Sequence, residues 1–191
     1  MDNTWLYFFS AIMQSIAALA ALFGVFVVFR IEKIQNNIER LRNLCAKVIY
    51  DIKRRDNGKP EQENNKFCKK YQIPENIIGF IKYSDFDVYN MFNEFWINRH
   101  NFHPDFFPCF DGPEINDNTG PAFKILLDFK KEIVNKLKIS LLLSSICIVL
   151  SIIFLAMEKI HYSTNWIILV ASIAIATIAY IAQSIFSITK D

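Results

Sequence analysis

Three stretches of this chain carry no charged side chain: residues 5–29, 139–157 and 166–188, which are 25, 19 and 23 residues long. A helix rising 1.5 Å per residue needs about 20 apolar residues to cross about 30 Å of hydrocarbon, so each stretch predicts a transmembrane helix. A core helix in a water-soluble protein is also apolar, but it keeps a polar stripe wherever it meets solvent, and these stretches have none. Trp5 and Tyr7 open the first span, and Tyr162 and Trp166 bracket the third. Such amphipathic rings prefer the headgroup level.

Between the first two spans the periodicity changes. Ile31, Ile34, Ile38, Leu41, Cys45, Val48 and Ile52 recur in alternating steps of three and four, a heptad seam that carries the first helix out of the membrane. The same register read backwards passes through Val27, Gly24, Ala20, Ala17, Met13 and Ser10. Inside the bilayer this predicts close contact through small side chains, since lipid gives helices no hydrophobic drive to associate. Asn57-Gly58 and Pro60 predict the end of this helix of about 50 residues. Leu126, Ile133 and Leu137 likewise lead into Ser140, Ser144, Cys147 and Ser151, so a second helix crosses the interface, with Thr119 or Gly120 near its cap and Pro121 in its first turn.

Between these helices, residues 59–65 are polar and predict an exposed linker. Residues 73–84 and 85–98 predict two short helices. Pro74 opens the first, and Val88, Met91, Phe92, Phe95 and Trp96 form an apolar face on the second. Residues 101–120 hold Pro104, Pro108, Pro113, Gly112 and Gly120 and predict a structured loop anchored by Phe102, Phe106, Phe107 and Phe110. The expected fold is an all-α integral membrane protein. It has transmembrane helix 1 in residues 1–29, a helical domain with stalk helices at 30–138, transmembrane helix 2 at 139–157, a short external loop at 158–165, and transmembrane helix 3 with a short tail at 166–191.

Charge sets the orientation. Of 21 Lys and Arg, 19 fall between Arg30 and Lys138, and only Lys159 lies between spans two and three. The positive-inside bias therefore predicts a cytoplasmic central domain and C-terminus, an outside N-terminus, and a first span retained as an anchor. Lipid is the first expected partner. The central domain balances 19 basic against 16 acidic side chains, a net +3 too mild and scattered to predict nucleic-acid binding. Cys45, Cys68, Cys109 and Cys147 show no paired spacing, and the first three fall in a reducing compartment, so disulfides are not expected.

Candidate chemistry is sparse. Arg99, His100 and His103 gather at the end of a predicted helix, where a cationic group suits a small anionic ligand. Helical ribonucleases of the HEPN group separate an Arg from a His by four to six intervening residues, whereas Arg99 and His103 have three between them, one short of that pattern. A metal site built from His100, His103, Cys109 and Cys68 matches no zinc-ligand spacing. Asp111, Glu114, Asn116, Asp117 and Asn118 lack the alternation and closing Glu of a calcium loop. With five glycines in the chain and no phosphate-cradling loop or nucleophile elbow, the expectation is a non-enzymatic protein without metal or cofactor. Inside the bilayer, Gln14, Ser144, Cys147, Ser151 and Gln183 are the candidate pore or helix-packing residues. A single chain with three spans is too thin to enclose a wide pore, so conduction requires a homo-oligomer.

The run Phe8-Phe9-Ser10-Ala11-Ile12-Met13-Gln14-Ser15-Ile16-Ala17-Ala18-Leu19, continuing into Phe23-Gly24-Val25-Phe26, resembles the first span of small bacterial membrane proteins. Some of these accompany anti-phage systems as membrane effectors. The channel subunit of Hailong-type defence and the membrane accessories of type VI-B CRISPR are similar in size and plan. The resemblance covers about 30 residues and implies an inner-membrane, homo-oligomeric channel or pore effector gated by a cytoplasmic sensing domain that takes a ligand or a protein partner. The alternative is a membrane-anchored recruitment module that conducts nothing.

Overall fold

The structure, a computed structural model, describes residues 4–56, 70–102, 106–112, 114–156 and 164–190. Tyr162, Cys68, His103 and most of the expected loop at 158–165 lie outside the described residues. The chain is all-α, with no strand among the described residues. Its helices are α1 (Thr4–Asp56), a 3-10 helix (Ile77–Lys82), α2 (Asp85–Ile97), a 3-10 turn (Arg99–Asn101), the single-turn α3 (Phe107–Phe110), α4 (Thr119–Ala156) and α5 (Thr164–Lys190). Helices α1, α4 and α5 are long and apolar enough to cross a membrane. Two compact units result, a span unit (Met1–Glu32 with Lys131–Asp191) and a middle unit (Lys33–Lys130), and α1 and α4 contribute to both.

In the span unit most apolar side chains face outward. No more than 28% of the most apolar window of any span is buried, and Leu22, Phe29, Leu142, Ile175 and Phe186 are all exposed. Water would make such a surface costly at roughly 25 cal/mol per Å², whereas hydrocarbon does not, so these faces suit lipid. The inward faces meet at Ile16 of α1, Cys147 of α4 and Ala174 of α5. Phe9 stacks on Phe154 at 5.4 Å between ring centroids, and Phe154 meets Trp166 at 6.2 Å. At the other end of the spans the Arg30 guanidinium donates to the Ile188 carbonyl at 3.1 and 3.3 Å, satisfying an orphan acceptor in the last turn of α5.

The heptad seam of α1 is buried in the middle unit at Ile34, Ile38, Cys45, Val48 and Ile52, but it does not continue through small residues in the span. There the buried positions are Val27, Phe23, Ile16 and Phe9, while Ala17 is exposed. An α-helix turns 3.6 rather than 3.5 residues per turn, so a buried stripe drifts about 20° per heptad against a strict seven-residue register. Extrapolation backwards from Ile31 therefore lands beside the true face.

The middle unit has an aromatic core. The apolar face of α2 buries Val88, Tyr89, Met91, Phe92 and Phe95, and the segment after it buries Phe102, Phe106, Cys109 and Phe110. Phe95 stacks on Phe102 at 5.8 Å, and Tyr89 stands edge-on to Phe123 at 5.9 Å. Ser84 and Asp87 start α2 with a reciprocal capping box. The helix expected over 73–84 is instead the 3-10 helix Ile77–Lys82. The Asn76 side chain accepts the Gly79 amide at 2.8 Å, which seeds a three-residue turn. A Cβ at Gly79 would lie 2.3 Å from Pro74 Cβ, so the approach of these two turns requires glycine. Arg42 of α1 holds the far end of this 3-10 helix by donating to the carbonyls of Phe80 at 2.8 Å and Tyr83 at 2.9 Å, with Asp85 at 3.4 Å.

Candidate functional site

In the middle unit a cavity of about 520 Å³ opens between the end of α2 and the loop leading into α4. Its lining includes Trp96, Arg99, His100, Phe110 and Asp117. The local sequence explains the placement. Asn98 ends α2 by turning its side-chain amide to the Glu94 carbonyl at 2.8 Å, and the 3-10 turn that follows brings Arg99 back over the helix end. Its guanidinium lies 4.5 Å from the centroid of the Trp96 ring and donates to the Trp96 carbonyl at 2.9 Å. A cation over an indole face, further tied by a hydrogen bond, is fixed in orientation as well as attracted. Trp96 in turn stacks on Phe92 at 5.6 Å and meets the edge of Phe110 at 5.8 Å, so the platform rests on the aromatic core.

The opposite wall is a self-bonded turn. The Asn116 amide donates to the Thr119 hydroxyl at 3.0 Å, the Asn118 amide to the Asn116 side chain at 3.0 Å, and the Thr119 amide to the Asn116 carbonyl at 3.0 Å. This turn starts α4 and presents Asp117, whose carboxylate accepts from Arg99 at 3.0 Å. The Asp117 side chain is 80% exposed and that of Arg99 27%, so water screens the pair and it is worth at most about 1 kcal/mol. The Arg99 charge is therefore easily taken over by another anion.

Of the residues singled out from sequence, Arg99 and His100 share this cavity, with His100 exposed, while His103 lies outside the described residues. Trp96 as the platform and Asp117 as the counter-charge are additions from the structure. In the sequence Trp96 stood out as part of the apolar face of this helix, and nothing in that pattern marked it as a platform for Arg99, which lies beyond the helix end. No group of His, Cys, Asp and Glu able to hold a metal ion occurs among the described residues. Burial pushes the Cys45 thiol up to about 12 and also raises that of Cys109, so both stay protonated and weakly nucleophilic near neutral pH.

The span-unit candidates separate into two sets. Ser144, Cys147 and Ser151 are buried on the inward face of α4, together with Ser140. Cys147 Sγ lies 3.2 Å from the Thr177 hydroxyl, which also donates to the Ile173 carbonyl. Gln14 and Gln183 are exposed on outward faces, and Gln14 donates to the Ser10 hydroxyl at 3.3 Å. Beside Gln14 on α1 the exposed positions Ala11, Ser15 and Ala18 are all small.

No family model, curated protein or solved structure matches this chain. The functional reading rests on the site itself. A planar cation stacked on indole, beside an open and partly apolar cavity, can receive an anion carried on a flat ring system. In the span unit, outward-facing amides next to small side chains can receive another helix.

Proposed function

We propose that the chain forms a homo-oligomeric pore in the membrane, opened or closed by a small anionic ligand bound at Arg99. The observation that carries the assembly is the outward placement of Gln14 and Gln183 in otherwise apolar spans. A carboxamide facing lipid leaves donors and acceptors unmet, and contact with another copy meets them. Ala11, Ser15 and Ala18 allow that contact to be close. With Ser144, Cys147 and Ser151 turned into one chain's own bundle, the path between copies is lined by the faces that carry the two glutamines.

The ligand chemistry follows from the cavity. Trp96 offers a ring face, Arg99 a planar cationic fork for phosphate or carboxylate, and His100 a further polar group at the rim. A nucleotide has both parts. Its anionic group would displace Asp117 from Arg99, and the turn at residues 116–119 begins α4, one of the two helices shared by both units. The resemblance of the first span to membrane effectors of anti-phage systems extends this reading to a defence role in a bacterial inner membrane.

Flux tests it. Purified protein in vesicles should release potassium, and Gln14→Leu with Gln183→Leu should abolish release while the chain still inserts. Release unchanged in the double variant removes the glutamine faces from the account. For the ligand, Trp96 fluorescence titrated with adenosine diphosphate should report binding that Arg99→Ala weakens about tenfold or more. An identical titration in both proteins would end the Arg99 site.

A second reading has its own support. Ile78 and Ile81 are each 72% exposed and Phe86 57%, an apolar group on the 3-10 helix and the start of α2. Such a group suits a protein partner, and the chain would then be a membrane-anchored recruitment module. Ile78→Asp with Ile81→Asp abolishes partner capture in that case and leaves potassium release alone in the other.

A further inference from the structure

Just beyond the first span, the outward face of α1 carries charge in a fixed order. Glu32 is followed by Lys33 and, one heptad later, Glu39 by Arg40, and all of these side chains are exposed. Among the described residues Glu32, Lys33 and Glu39 make no ion pair. Arg40 meets Glu114 at 3.9 Å, with both side chains more than half exposed. A pair so open to water holds weakly, and Arg40 readily exchanges Glu114 for another carboxylate.

Successive residues of an α-helix lie about 100° apart around its axis, so the two carboxylates form one row and the two cations a second row about 100° away. Exposed Asn36 and Asn43 fall between the rows. Buried Ile34, Ile38 and Cys45 point the opposite way, within about 20° of the direction straight across from the midline of the rows. The segment thus has an acidic flank, a basic flank, an amide strip between them and its own core behind.

We propose that these flanks join α1 to α1 of neighbouring copies in a ring of four or five, with Lys33 and Arg40 of one copy against Glu32 and Glu39 of the next. This deepens the assembly reading above and rests on it. Copies of one chain enter a membrane in one orientation, so their α1 helices run parallel, and position 33 of one copy stands within about 1.5 Å in height of position 32 of its neighbour. Each row therefore finds its complement at its own level, as flanking charges do between parallel coiled-coil helices. In a ring each helix meets its neighbours in directions about 90° apart for four copies and about 108° for five, and the rows, about 100° apart, fall between these values. A ring also needs the bulk of each chain outside it. With the buried stripe directly behind, the remainder of the middle unit stands outside, and Asn36 and Asn43 face the axis, where water still reaches them. A contact between two copies alone would press these amides together and dehydrate them.

Carbodiimide coupling of the full chain in mild detergent tests the contact, because this reagent joins a lysine to a carboxylate only where the two groups touch. Wild-type protein is expected to give a ladder of covalent bands that ends at four or five copies. Lys33→Arg keeps the charge and the assembly but removes the reactive amine, so the ladder is expected to disappear. Adding Arg40→Lys is expected to restore it through Glu39. A ladder that persists in Lys33→Arg places the link elsewhere and overturns the proposal, and so does a ladder ending at two copies or a failure of Arg40→Lys to restore the bands. A wild-type chain that holds four or more copies by light scattering yet gives no ladder overturns this contact alone, whereas a monomeric wild type ends the assembly reading together with it.

Discussion

The two units solve the same problem, burying helix faces, with opposite materials. The middle unit is filled by aromatic rings, and its inward-reaching cations end on carbonyls: Arg42 on Phe80 and Tyr83, Lys53 on Ile73, Arg99 on Trp96. The span unit has few rings inside and no charge between its ends, and its inward polar groups are hydroxyls. Water explains the difference. Around the middle unit it rewards every buried ring and makes a guanidinium cheap to hold half-buried. Lipid gives no such reward, so the spans pack through shape and small polar contacts.

The largest effect should come from the aromatic core. Phe95 is fully buried and stacked on Phe102, so Phe95→Ala should lower the stability of the middle unit by about 3–5 kcal/mol, read from denaturant unfolding followed by near-ultraviolet circular dichroism. A loss below about 1 kcal/mol would mean that the rings do not form one core. Next is Arg42, which holds three groups at once. Arg42→Met should cost about 2 kcal/mol and speed amide exchange at Gly79 and Tyr83 ahead of α2. Unchanged exchange there would show that the 3-10 helix stands without it.

Alkaline pH gives a smaller effect with a definite sign. The Cys45 thiol stays protonated in the folded chain to about 12, against 9.0 for an unburied thiol. The unfolded chain therefore releases its proton first. The stability that burial of this neutral thiol contributes is fully present below pH 9 and is lost as pH rises from there through about 12. Unfolding midpoints at pH 8 and 10.5 should differ in wild type and less so in Cys45→Ala; equal slopes would dismiss the thiol. The smallest effect belongs to the spans: Ser145→Ala removes a hydroxyl bonded only within its own helix and should shift stability by less than about 0.5 kcal/mol.

Legibility in the sequence follows the same division. The spans were readable because a charge-free run of 19 or more residues has few other uses. The seam of α4 was readable down to Ser144, Cys147 and Ser151, since a three-four pattern over one helix needs no tertiary information. The span half of α1 was not, because a strict heptad loses register against a 3.6-residue turn, and Phe23, Ile16 and Phe9 took the inward places expected for smaller neighbours. The segment before α2 misled through Pro74. It reads as a helix start, but the Asn76 cap on Gly79 makes a tighter helix. At the cavity, Arg99 and His100 stood out by residue type. Asp117 did not, because it is 18 residues away and its approach depends on the turn that Asn116 and Thr119 tie.

Assembly is the claim on which the pore reading stands, and mass in solution tests it most directly. Light scattering of the purified protein, corrected for bound detergent, should give a defined assembly of four or more copies that breaks down in Gln14→Leu with Gln183→Leu. A monomer or dimer that persists across detergents would contradict it.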